Sequence, residues 1–307
     1  MTHKKKKFIL SLIILILLNA CAGKRPLIDL EEVSPTPRNI SQNLDIALVL
    51  GAGGSKGAAH IGVIEVLEEN GIKPNLIVGS SAGSIVGALY AENGNISEVK
   101  SNIINLSSKD LLDFSLSATL QATFYNKAPI QGYKLERLLN NLLKVQTFKD
   151  LKIPFIAVAT SIKTNSLKQL KSGYLPRSIV ASAAIPGIFT PVNMYNDVLV
   201  DGAVISIVPV RTARLYKPKV IIAVDISTQP SKDKVTSIAS QIYRASHISY
   251  YTLAQQEASY ADIVIHPTLD DHGSFDSSKK GELIALGREE AIKMLPKIKK
   301  IIAEKTH

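Results

Sequence analysis

From residue 44 onward the hydrophobic pattern switches between two regimes. The runs "LDIALVL" (44–50) and "NLIV" (75–78) are short, almost wholly apolar and stop at Gly51 and Gly79. Runs of that length bounded by turn residues predict strands buried on both faces. Between them, residues 58–70 set Ile61, Ile64, Leu67 and Glu68 at helical spacing, and Gly71 supplies the stop. After the second strand, "SIVGALYAE" repeats the helical pattern. The stretches "IPFIAVATSI" (153–162), "DVLVDGA" (197–203), "KVIIAVDIS" (219–227) and "ADIVIHP" (261–267) predict further strands. Strand–helix alternation of this kind predicts an α/β domain with a mainly parallel central sheet. Residues 96–150 are apolar-rich and helical, suited either to ordinary packing or to covering a site. Residues 279–305 form a last helix in which Ile and Leu interleave with lysines. Such a helix can dock on the domain with a solvated basic face, or lie on anionic lipid.

The first twenty residues follow another rule. Lys4 to Lys7 precede the apolar run Phe8–Leu18, which is too short for a ~20-residue membrane span but fits a secretory signal. The run ends in Leu18-Asn19-Ala20-Cys21, which resembles the lipobox of bacterial lipoproteins, although Asn19 is unusual there. Cys21 is the only cysteine in the chain. Residues 1–20 therefore read as a lipoprotein signal peptide and Cys21 as the lipidated residue. Residues 22–43, with three prolines and no sustained period, read as a flexible tether that spans at most ~75 Å. The domain then runs from 44 to 307. Ala22 fits sorting to the outer membrane of a bacterial cell envelope, facing the periplasm.

Composition narrows the classes. With 46% hydrophobic and 20% charged residues the chain is globular, not disordered. Removing Lys4–Lys7 lowers the formal charge from +10 to about +6. That modest charge and the export signal argue against a nucleic-acid partner. The sequence has no Cys/His cluster and no acidic calcium loop, so no metal is expected. Nothing in it sets an oligomeric state.

The pattern Gly-x-Ser-x-Gly occurs twice, as Gly53-Gly54-Ser55-Lys56-Gly57 and as Gly79-Ser80-Ser81-Ala82-Gly83. In the second, strand gives way to helix within a few residues, so Ser81 sits at the apex of a sharp elbow. Such an elbow strains the backbone and leaves no room for side chains at Gly79 and Gly83. The helix N-terminus behind it favours an alkoxide. Ser55 lies in an open loop with Gly51, Gly53, Gly54 and Gly57, which presents backbone N–H groups as an oxyanion hole or phosphate cradle would. A dinucleotide fold would need an acid at the end of the second strand, where Val78-Gly79-Ser80 stands. A nucleotide-phosphate loop needs Gly-Lys-Ser/Thr, where the order here is Lys56-Gly57-Ala58. Ser81 is the expected nucleophile. Two bases are available to it: Asp201, on the turn opened by Gly202, or a triad through Asp225 and His266, each at a strand end.

The stretches "LGAGGSKGAAHIGVI", "GSSAGS", "ASAAIPGIFTPV" and "VDGAVISIVPV" stand in the order found in bacterial patatin-like phospholipases, and the chain resembles that family from about residue 44 to 290. The resemblance implies a three-layer αβα fold with a mainly parallel sheet. It also implies a serine acyl hydrolase without cofactor, acting on phospholipids, lysophospholipids or related acyl esters. It assigns Ser81 as nucleophile, Asp201 as base and the N–H groups of Gly53 and Gly54 as oxyanion hole, with Gly51 and Gly57 shaping the loop. Lys56 stands where the family commonly has Arg, as a possible anchor for an anionic head group or as a solvated lysine. Asp225 and His266 then become strand-end residues. One departure is plain: Ser206 and Ile207 replace asparagines that the family often carries, which bears on the loop around Asp201. A catalytically silent, membrane-tethered interaction protein is the alternative from another class.

Overall fold

The computed structural model describes residues 35–42, 44–106, 128–269, 272–273, 276 and 278–306. Cys21, the signal run and most of the tether lie outside the described residues, as does the middle of the 96–150 segment.

Among the described residues, eight strands form one sheet in the order β5-β6-β3-β2-β1-β7-β8, with β4 also paired to β3. β1 (Ile46–Leu50) lies between β2 (Leu76–Ser80) and β7 (Val220–Val224), parallel to both. β3 (Phe155–Ser161) and β8 (Ile263–Ile265) extend the parallel part. β4 (Ser166–Leu170), β5 (Val192–Met194) and β6 (Asp197–Asp201) are antiparallel additions at one side.

The apolar runs are continuous because both faces of the central strands are covered. Along β1, Leu48 and Leu50 join one core and Ala47 and Val49 the other, as a period of two requires. The first core is closed by α1 (Ala58–Glu69), α2 (Ala82–Asn93), α3 (Ile96–Ile104), α4 (Tyr133–Leu142), α5 (Leu175–Ser182) and the last helix, α8 (Lys280–Thr306). The second is closed by α6 (Val210–Arg214) and α7 (Ile238–Ala258). These are the three layers. α8 docks on α1 through glycines: a Cβ on Gly62 or Gly287 would meet the backbone carbonyl of Ile284 or Ala59 at 1.9 and 2.1 Å. Leu283, Ile284, Ala291 and Ile298 are buried by that contact, so the apolar stripe of the last helix faces the domain. No described helix is long and apolar enough to cross a membrane.

The structure corrects the sequence reading in three places. Residues 35–42, expected at the end of the flexible tether, lie on the domain: Ile40 packs into the second core and the Arg38 guanidinium donates to the Leu151 carbonyl at 2.9 Å. β4 and β5 have no compact apolar run, because they are half-exposed or very short. α7 went unpredicted because its first half turns Ile238, Ile242 and Tyr243 outward and has no buried stripe.

Candidate active site

β2 ends at Ser80 and α2 begins at Ala82, leaving Ser81 alone to turn the chain. Its φ of 51° and ψ of −119° lie where a non-glycine residue costs ~1–3 kcal/mol. The surrounding glycines are forced by contact. A Cβ on Gly79 would stand 2.5 Å from the Gly83 carbonyl oxygen, and one on Gly83 would stand 2.1 Å from that of Leu50. The Ser81 carbonyl accepts from the Ser84 N–H, so the strained residue also starts the helix behind it.

The Ser81 hydroxyl donates to Asp201 Oδ2 at 2.7 Å, across 120 residues of chain. Asp201 closes β6, and its Oδ1 accepts the Ala203 N–H at 2.8 Å across the turn at Gly202. A Cβ on Gly202 would meet the Val158 carbonyl at 2.4 Å, so β3 presses on that turn. Asp201 is 3% exposed. Burial lifts its carboxyl from the ordinary 3.8 to about 6, against the opposing pull of the Ser81 hydroxyl and the Ala203 N–H.

The glycine loop leaves β1 beside this pair. Gly51 donates to the Val224 carbonyl at 3.0 Å and Ala52 to that of Ile207 at 2.9 Å. Among the described residues no acceptor is recorded for the N–H groups of Gly53 and Gly54. Gly54 takes a positive φ of 60°, and a Cβ on Gly57 would overlap the Ala82 methyl at 2.7 Å. The loop therefore abuts the residue that follows Ser81. Tyr250 on α7 fixes it from outside, its hydroxyl donating to the Ala52 carbonyl at 2.7 Å. His60 fixes it from within through Nε2 and the Gly51 carbonyl at 2.8 Å; burial lowers the imidazole to about 4, so it is neutral and Nε2–H donates.

Residues 48–214, more than half of the chain, match the patatin-like phospholipase family. The chain belongs to that family. It is 33% identical to the human patatin-like phospholipase domain-containing protein 6 over 193 residues, 62% of this chain and 14% of that one. It is 26% identical to lysophospholipase NTE1 of Debaryomyces hansenii over 284 residues, 83% of this chain and 18% of that one. The chain thus spans less than a fifth of the length of these relatives. The crystal structure of VipD from Legionella pneumophila superposes with a TM-score of 0.53 at 13% identity, covering 94% of this chain and 73% of that one. That likeness speaks for the fold.

Within this patatin-like domain the segment at Ser206 and Ile207 is tied down by hydrogen bonds of its own. The Ser206 hydroxyl donates to Glu257 Oε1 at 2.6 Å, and Glu257 Oε2 accepts the Val208 N–H at 3.0 Å. The Ser206 carbonyl accepts the Ser80 hydroxyl at 2.8 Å, and the Ile207 carbonyl holds Ala52. A buried carboxylate on α7 thus ties the segment after Asp201 to both the elbow and the glycine loop. Sequence reading missed Glu257, whose helix had no signal. It also missed Ser182, whose hydroxyl donates to the Val158 carbonyl at 2.6 Å and accepts the Ser81 N–H at 3.2 Å. Ser182 lies in the "ASAAIPGIFTPV" stretch, where no local pattern marks its partners.

The residues of the rival triad meet each other and not Ser81. His266 Nδ1 lies 3.2 Å from Asp225 Oδ2, which also accepts from Gln255 at 2.7 Å. The partner hydrogen bonds hold the Asp225 carboxyl below its ordinary range despite its burial. β8, which His266 directly follows, is three strands from β2, or ~14 Å at the usual spacing. Lys56 is neither solvated nor at the surface. It is 3% exposed, and its ammonium donates to the Thr228 hydroxyl at 2.8 Å.

Proposed function

We propose that this patatin-like domain hydrolyses acyl esters of phospholipids or lysophospholipids with Ser81 as nucleophile and Asp201 as base. The observation that carries the reading is the 2.7 Å hydrogen bond from a strained elbow serine to a buried carboxylate whose other oxygen is already held. Asp201 takes the Ser81 proton as Oγ attacks the ester carbonyl carbon, and the N–H groups of Gly53 and Gly54 donate to the oxyanion. Collapse of the tetrahedral intermediate breaks the ester C–O bond, and the departing alcohol takes the proton from Asp201. Water then gives its proton to Asp201 and attacks the acyl-enzyme, which releases a fatty acid and restores Ser81. A carboxyl near 6 is a far better base than one at 3.8 and is still ionised at neutral pH.

The N-terminal sequence supports the further proposal that Cys21 is lipidated and anchors the domain to a bacterial cell envelope, at the outer membrane facing the periplasm. Cys21→Ala should abolish radiolabelled palmitate incorporation in the host; label retained by that variant removes the proposal. For the activity, fatty-acid release from phosphatidylcholine and lysophosphatidylcholine vesicles should be measured for wild type and Ser81→Ala. The expected result is release that Ser81→Ala lowers at least 1,000-fold. Release unchanged in Ser81→Ala would overturn the assignment.

A further inference from the structure

An apolar pocket opens beside the elbow, with Gly54 and Gly57 of the glycine loop and Ala82 at its start. Ala82, Ile85, Val86 and Leu89 line one wall, which is one stripe of α2 at i, i+3, i+4 and i+7. The facing wall of α4 repeats the same spacing from Leu135 to Leu142. Among the described residues the only charged side chain on the wall is Lys280. Its ammonium is hydrogen-bonded to the Ile103 and Leu106 carbonyls at the end of α3. One turn beyond Leu89 the two walls are tied together, because Glu92 Oε1 accepts the N–H groups of Lys144 and Val145 at 2.5 and 3.0 Å. The pocket therefore runs from Ala82, the residue after Ser81, to Leu89 and Leu142, one turn short of that tie.

We propose that this pocket holds the acyl chain of the substrate and acts as a ruler that favours chains of about eight to ten carbons, with Leu89 and Leu142 as its floor. The proposal rests on Ser81 being the nucleophile. From Ser81 to Leu89 the helix advances ~12 Å at 1.5 Å per residue. An extended chain of 1.52 Å bonds advances ~1.25 Å per carbon, so about nine or ten carbons reach the floor. Each methylene gains by leaving water until the floor is met, and the next one must bend the chain or displace a leucine.

The test is kcat/KM for p-nitrophenyl esters from four to sixteen carbons, with Leu89→Trp and Leu142→Trp beside wild type and Leu89→Met as control. Wild type should gain about threefold to fourfold per methylene up to eight to ten carbons and then fall. Either tryptophan should move the optimum to about four to six carbons and lower the ratio of decanoate to butanoate kcat/KM at least tenfold, while Leu89→Met, of similar volume, keeps the wild-type ratio. A second arm reads binding without turnover, as the thermal shift of Ser81→Ala with decanoate and with hexadecanoate. Decanoate should stabilise more, and adding Leu89→Trp should remove its effect. A rise that continues to sixteen carbons, a tryptophan that slows every chain length equally, or equal stabilisation by both acids would overturn the ruler. Decanoate selectivity in a folded protein that turns over no ester would overturn the nucleophile reading instead and leave the pocket standing.

Discussion

At the scale of single residues, the burial of Asp201 sets a local cost and, for Asp201 as the proposed base, the pH dependence. Its carboxyl is raised to about 6 in the folded chain against 3.8 ordinarily, so the folded state holds the proton more tightly than the unfolded one. Stability from this group is therefore fully present below about pH 4 and is lost as the pH rises through about 6. The elevation corresponds to about 3 kcal/mol against the ionised form at neutral pH. Asp201→Asn should accordingly be more stable than wild type to urea at pH 8, by about 2–3 kcal/mol, and equal to it at pH 4. An unchanged difference across that range would contradict the assignment. The same titration should give wild-type kcat/KM an acid limb near pH 6 with a slope of one proton. The two residues that the structure joins by a hydrogen bond, Ser81 and Asp201, could be picked out in the sequence because each is marked by its neighbours, the elbow glycines and Gly202. Ser182 and Glu257 were not, because they act on residues 101 and 51 positions away and no local pattern marks such partners.

At the scale of elements, the elbow and the segment after Asp201 are held by backbone contacts that leave no slack. Gly83→Ala places a methyl 2.1 Å from the Leu50 carbonyl and should cost more than ~3 kcal/mol or prevent folding, whereas Gly281→Ala, which meets nothing, should change little. Urea denaturation of both variants checks this. Glu257→Ala would leave the buried Ser206 hydroxyl and Val208 N–H without their acceptor, at ~1–3 kcal/mol each. It should lower kcat by about tenfold with little change in KM, and Glu257→Gln should recover most of the loss; steady-state kinetics of the pair decides it. The five parallel strands could be read in the sequence because both of their faces are buried, which yields unbroken apolar runs. The antiparallel β6 was legible too, through "DVLV", whereas β4 is half-exposed, β5 is only three residues long and the first half of α7 faces outward, so these three carry no apolar run.

At the scale of the whole molecule, the layered arrangement puts the ends of β1, β2 and β6 and the start of α2 at one place, and the proposed chemistry rests on that convergence. The alternation of strands and helices made this architecture legible. The docking of residues 35–42 was not, because a proline-containing stretch with a single apolar side chain, Ile40, has no period. A fragment starting at Leu44 loses the burial of Ile40 and the Arg38–Leu151 hydrogen bond and should unfold at lower urea than one starting at residue 35, by ~1.5–3 kcal/mol. Equal midpoints would contradict the docking. The central claim is that a serine–aspartate pair, with no histidine, performs acyl transfer. Its most direct test is the kcat of folded Asp201→Asn and His266→Ala on a short-chain p-nitrophenyl ester. The account predicts a loss of about 1,000-fold or more in Asp201→Asn and a rate within about threefold of wild type in His266→Ala. A collapse of the rate in His266→Ala, with Asp201→Asn still active, would contradict it.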